Sequence, residues 1–196
     1  MVTLINLSSV SNRDRKQQAK RIRVFRKAHR TTGIALFLFF IVVASTGLLL
    51  GWKKNSDGII LPHTIKGSST ELATWLPIDQ LSLIALDTIQ QHLNRKSMKV
   101  DRIDVRPDKG MIKVTFQDTY WSVQVDGETG KVLQIARRNS DLFENIHDGS
   151  IVDNVLGISG GIFKLLFTSV MGFALLTFSI TGFWLWYGPK RMRNSR

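Results

Sequence analysis

Two uncharged, largely apolar runs bracket the middle of the chain, Thr31 to Trp52 and Leu165 to Pro189. About 20 apolar residues in a helix cross the roughly 30 Å hydrocarbon core of a bilayer. The pattern therefore predicts membrane-spanning helices over residues 31–52 and 163–187. The first run is long for the apolar stretch of a secretory leader, and so is the segment before it. A retained helix is the expectation, against a weak small-residue match at Val42–Val43–Ala44 for cleavage.

Between the runs the periodicity changes. Leu76–Pro77–Ile78–Asp79 reads as a helix start, with proline in the first turn and an acid beside it. Ile78, Leu81, Ala85, Ile89 and Leu93 then form a helical stripe. Alternating positions follow, at Val100, Ile103 and Val105, at Ile112, Val114 and Phe116, and at Trp121, Val123 and Val125, with a last strand from Val132 to Ile135. Pro107–Asp108–Lys109–Gly110 and Asp126–Gly127–Glu128–Thr129–Gly130 are turns. Residues 75–138 thus predict a small α+β domain, a helix plus an antiparallel sheet, with 53–74 as linker. Leu142, Phe143, Ile146 and Val155 make 139–162 an amphipathic segment suited to a membrane surface.

The charge resolves into the same parts. The chain has 27 Lys+Arg and 15 Asp+Glu, a net +12 that on its own would suggest nucleic acid or an anionic surface. Residues 1–31 carry nine Lys/Arg and one acid, residues 187–196 carry four Lys/Arg and no acid, and residues 53–162 are close to neutral, with 13 bases and 14 acids. Lys/Arg-rich flanks stay cytoplasmic. Both basic tails, 1–30 and 188–196, are therefore expected inside and the central domain outside. Trp52, Trp184, Trp186 and Tyr187 sit where interfacial aromatic belts lie. Anchoring to anionic lipid accounts for the tails, and with Phe25 their only interleaved aromatic, no nucleic-acid partner is expected. The absence of cysteine excludes disulfides, thiolate metal sites and covalent c-type haem in this chain.

The helix and strands ending in D-G-E-T-G-K-V, at 126–132, resemble the PepSY domain. The chain as a whole resembles the PepSY-associated transmembrane family. That resemblance rests on R-K-A-H-R-x-x-G at 26–33, S-T-G-L-L-L-G-W-K at 45–53, I-H-D-G at 146–149 and I-T-G-F-W-L-W at 180–186, and spans 21–191. It implies a bacterial inner-membrane protein with both termini cytoplasmic and the domain periplasmic. Larger members have four helices and include haem-carrying ferric-siderophore reductases, and this chain is a half-size version. The resemblance thus implies a haem b electron-transfer component of iron uptake, with electrons from a quinol or a cytoplasmic reductase. A ferric siderophore or a periplasmic protein would be the outer partner. A non-enzymatic alternative is a membrane-anchored regulatory module, since PepSY domains elsewhere are associated with peptidase inhibition.

Four histidines are candidates for chemistry. His29, Gly33, Phe37, Phe40, Ala44, Gly47 and Gly51 share one stripe of the first helix. Gly33, one turn from His29, removes a side chain that would obstruct a flat macrocycle. Neutral imidazole is a common axial ligand of haem iron, and the family motifs make His29 and His147 candidate ligands, with Gly33 beside the cofactor. Residues 29–51 span about 33 Å of helix, so the two histidines cannot share an iron. A parallel homodimer, or a partner membrane subunit, would complete one bis-histidine site per leaflet. In the second helix Thr168, Gly172, Leu175, Ser179, Gly182 and Trp186 form a small-residue stripe expected to pack helices, within the chain or in a dimer. His92 reads as structural and His63 as a solvated linker residue. Asp101, Asp104 and Asp108 alternate with bases as a solvated strand face. Gly157–Ile158–Ser159–Gly160–Gly161 lacks the strand and the Lys–Ser/Thr of a nucleotide loop, and no hydrolase, kinase or nicotinamide motif occurs.

Overall fold

A computed structural model describes residues 7–194, with side chains from 16 to 190. Residues 1–6, 195 and 196 of the basic tails lie outside the described residues, as do the side chains of Arg13, Asp14, Arg15, Arg191 and Arg193. The chain divides into two compact units, Met1–Val42 with Gly161–Arg196, and Val43–Gly160.

The first unit is built from two long helices, α1 (Leu7–Gly51) as far as Val42 and α5 (Ile162–Asn194), and the last turns of α1 belong to the second unit. Both are long and apolar enough to cross a membrane. The basic N-terminal segment, expected as a separate tail, is continuous with the apolar run in α1. Its Gln, Ala, Lys and Arg residues are strong helix formers, and neither Gly nor Pro interrupts residues 16–32. Likewise α5 continues through Pro189 into the C-terminal basic segment.

Within this unit α1 and α5 pack antiparallel, through aromatic pairs and large residues set against glycine. Ile22 meets Gly188, Phe25 meets Trp184 at a ring separation of 5.9 Å, and Phe39 meets Phe167 at 6.0 Å. The packed face of α5 is Met171, Ala174, Phe178, Thr181 and Gly188. Of the stripe expected to pack within the chain or in a dimer, Gly182 adjoins that face beside His29, while other members point away from it. Gly172 has open space around it, and Leu175 and Trp186 are each 60% exposed. The aromatic ring of Phe178, and the notches that accept such rings, set the rotation of α5 instead, following the three- and four-residue spacing of helix packing. The outward surface is apolar, with Ile34 70% and Phe173 72% exposed, a composition suited to lipid rather than water.

The second unit holds α2 (Ile78–Leu93), a sheet of β1 (Val100–Arg106), β2 (Met111–Phe116), β3 (Trp121–Asp126) and β4 (Val132–Arg137), then α3 (Asn139–His147) and α4 (Ser150–Leu156). The sheet is an antiparallel meander in the order β1-β2-β3-β4, with Ile112 opposite Val105 and Val125, and Val114 opposite Ile103 and Val123. Leu81, Ala85 and Ile89 of α2 are fully buried against Ile112, Val114, Phe116, Val123 and Val125. Helix α2 closes at Asn94, whose left-handed backbone (φ 50) lets its amide reach the last carbonyls.

The opposite sheet face is also buried, although its residues are polar. Lys113, Thr115, Ser122, Gln124 and Asp126 are all at most 6% exposed. The segment expected as a linker covers Gln124 and Asp126. The Ile65 amide donates to Gln124 Oε1 at 2.9 Å, Gln124 Nε2 donates to the His63 carbonyl at 2.8 Å, and the Gly67 amide donates to the Lys109 carbonyl at 2.8 Å. Buried polar groups require such partners. A side chain at Gly67 would run into the Gly110 carbonyl, so the crossing depends on glycine there. The Ser140 amide, at the start of α3, donates to the Ile60 carbonyl at 2.8 Å and ties that helix to the same segment.

Candidate functional site

Two histidines sit in matching surroundings, one in each unit. His29 projects from α1 onto α5. Its Nδ1 is 2.9 Å from the hydroxyl oxygen of Thr181, which is only 4% exposed. The next residue, Gly182, leaves room for the ring, since a Cβ there would stand 3.7 Å from His29 Cε1. The ring of Phe178 lies 4.2 Å from the imidazole, centroid to centroid, and 5.2 Å from the ring of Phe40. Phe178 also occupies the notch above Gly33, where an added Cβ would stand 3.0 Å from Phe178 Cζ. The flat group lying against Gly33 is therefore this phenyl ring, which walls one side of His29.

His147 ends α3. Its Nδ1 is 2.9 Å from the hydroxyl oxygen of Thr46, which is 6% exposed. Here too the following residue is glycine, and a Cβ on Gly47 would stand 3.4 Å from His147 Cε1. The rest of I-H-D-G has a local purpose. Asp148 Oδ1 accepts from the Ser150 amide at 2.9 Å and from its hydroxyl at 2.7 Å, securing the start of α4. Gly149 takes φ 81, a left-handed backbone that favours glycine. Asp148 and Gly149 thus build the corner that holds His147 at the end of α3.

In both places an imidazole from one segment rests on a Thr–Gly pair of a helix. The Nε2 atoms of His29 and His147 have no hydrogen-bond partner among the described residues. Residues 26–196 match the PepSY-associated TM region family. The chain belongs to that family. A comparison with curated proteins finds no match.

In this PepSY-associated membrane protein the sequence-derived candidates His29 and His147 are the two histidines that share this arrangement. His92 stays exposed, its ring 5.0 Å from that of Trp121, and His63 is exposed in its loop with Asp57 at 3.3 Å. Thr46, Thr181 and Phe178 escaped sequence reasoning. A signal for the threonines was present, because the same dipeptide recurs in S-T-G at 45–47 and I-T-G at 180–182.

The second unit also carries an open cleft of about 790 Å³, lined by Arg102, Tyr120, Trp121, Arg138, Asp141 and Glu144 among others. Arg138 pairs with Asp141 at 3.0 Å and Arg102 with Asp104 at 3.0 Å. Nearby, burial, followed by the Arg106 and Arg138 guanidiniums, lowers the Lys113 amine to about 8, against the pull of Asp104 and Asp141. At Asp126 burial works against ionisation. Hydrogen bonds from the Ser68 hydroxyl and from the Thr129, Ser68 and Glu128 amides outweigh it and hold the carboxyl below its ordinary value.

Proposed function

We propose that this protein is a haem b electron-transfer component of the bacterial inner membrane, with both termini cytoplasmic and residues 53–160 periplasmic. The observation that carries this reading is the twofold occurrence of an imidazole held at Nδ1 by a buried threonine, with Nε2 without a hydrogen-bond partner among the described residues. That donor set fits the group: with no cysteine in the chain, attachment is non-covalent and through histidine. Haem, when bound, supplies a one-electron couple. His29 and His147 would hold the iron through Nε2 at separate sites, one near each membrane face, and a second copy of the chain would supply the opposite imidazole at each. Phe178, seated on Gly33, keeps one side of His29 apolar and excludes water from it. The Lys/Arg-rich segments fix orientation through anionic lipid and the positive-inside rule.

The open cleft of the second unit, lined by arginines, acids and aromatic residues, favours a partner-binding role outside the membrane. It would receive the electron acceptor, of ferric-siderophore or periplasmic-protein type. If no haem binds, the same cleft supports the second reading, a membrane-anchored module that binds or regulates a periplasmic protein. Dithionite-reduced minus oxidised spectra of membranes holding the wild type, His29→Ala and His147→Ala separate the two. A haem band in the wild type that weakens in each variant is expected. A wild type without a band rejects electron transfer and leaves the partner-binding module.

A further inference from the structure

We infer that Thr181 is a positioning residue that fixes the tautomer of His29, keeping the proton on Nδ1 and the lone pair on Nε2. Thr46 stands at the same 2.9 Å from the Nδ1 of His147. The inference rests on the haem reading for its purpose, and on the local geometry for its substance.

A threonine hydroxyl has a single proton and two lone pairs. Thr181 Oγ1 lies 2.6 Å from the Thr177 carbonyl oxygen, one helical turn back, and 2.9 Å from His29 Nδ1. Two oxygens at 2.6 Å need a proton between them, because that is the separation of a short O–H···O bond. The hydroxyl proton is therefore committed to the Thr177 carbonyl, a back-bond common for threonine in helices. The Thr181 oxygen can then only accept from the imidazole, so the ring proton must sit on Nδ1. In a neutral imidazole the other nitrogen is then unprotonated. Fixing the ligand tautomer through the remote nitrogen is the task of the groups that surround metal-bound histidines.

The burial of Thr181, at 4% exposed, keeps water from competing for Nδ1, and Gly182 lets the ring approach. At the other site Thr46 Oγ1 is 3.2 Å from the Val43 carbonyl, with the Nδ1 contact again 2.9 Å.

The test uses the full chain in lipid nanodiscs, with histidine ring nitrogens labelled with ¹⁵N, as wild type, Thr181→Val and Thr181→Ser. Nitrogen chemical shifts without haem report which ring nitrogen carries the proton, and His29→Gln assigns the signal. The wild type and Thr181→Ser are expected to show His29 protonated at Nδ1, and Thr181→Val to shift toward Nε2–H or a mixture. Haemin titration of the same samples is the second arm. A loss of about tenfold or more in affinity at the His29 site in Thr181→Val, restored in Thr181→Ser, is expected, in line with the usual effect of such supporting groups. A wild-type His29 protonated at Nε2, or an unchanged tautomer in Thr181→Val, overturns the inference. A tautomer that follows residue 181 in a protein that takes up no haemin upholds the positioning role and overturns the haem reading, so the two failures are distinct.

Discussion

Replacing Asp126 by alanine tests whether the aspartate of the D-G-E-T-G turn is a structural tie rather than a reactive acid. Its two oxygens accept four bonds: Oδ2 from the Ser68 amide at 2.8 Å and the Ser68 hydroxyl at 2.7 Å, Oδ1 from the Glu128 amide at 2.9 Å and the Thr129 amide at 3.0 Å. A hydrogen bond to a charged group contributes roughly 1.5–3 kcal/mol. Ser68 and Thr129 are exposed, so water replaces part of what is lost. A net cost of about 3 kcal/mol follows for Asp126→Ala, and about half that for Asp126→Asn, which keeps an acceptor without the charge. For a unit near 100 residues this lowers Tm by on the order of 10 °C. Because the folded carboxyl titrates below its ordinary value, its stabilisation is present above the unfolded pKa of about 4 and is lost as pH falls through the folded one. Thermal unfolding of the nanodisc-embedded chain should therefore show an acid limb in the wild type that is reduced in Asp126→Ala. Hydrogen exchange over residues 64–70 should accelerate selectively, since that segment is tied to the sheet there. Unchanged exchange in 64–70 with an unchanged Tm would refute the reasoning.

Lys113→Met should stabilise the protein at neutral pH. A folded amine at about 8 binds its proton less well than the unfolded one, so wild-type stability should rise between pH 8 and 10.5 by about 3 kcal/mol. Denaturant titrations across that range should show the rise in the wild type and its loss in Lys113→Met. Gly67→Ala should be among the most damaging changes outside the apolar core, because its Cβ meets the Gly110 carbonyl. A drop in melting temperature well beyond that of an exposed Gly→Ala control checks it.

The two apolar runs were legible from their length and lack of charge, and the helix stripe of α2 and the alternation of β2 and β3 from the period of the face that each turns to the core. Of the stripe Ile78, Leu81, Ala85, Ile89 and Leu93, the central three are fully buried, while Ile78 in the first turn is 45% exposed. The covered second face of the sheet was not legible. Gln124 and Asp126 read as the solvated half of the alternation, and the chain passing through His63, Ile65 and Ser68 shows why they are buried. The face of α5 that packs within the chain was only partly legible. Small residues at regular spacing signal close approach, yet Phe178, Thr181 and Gly188 form the better-matched surface toward Ile22, His29 and Gly33. Residues His29, Gly33 and His147 were visible as candidates. Their supports were not, because Thr181 lies 152 positions from His29 and Thr46 lies 101 from His147. Only the repeated Thr–Gly pair hinted at them.

Haemin titration of the purified chain in nanodiscs, followed in the Soret region and then after dithionite, tests the central claim most directly. The account predicts a saturable Soret band of a histidine-ligated haem, one haem per chain as two per homodimer, and its absence in the His29→Ala/His147→Ala double variant. A spectrum indistinguishable from haemin in empty nanodiscs, or a band that survives in the double variant, would contradict it.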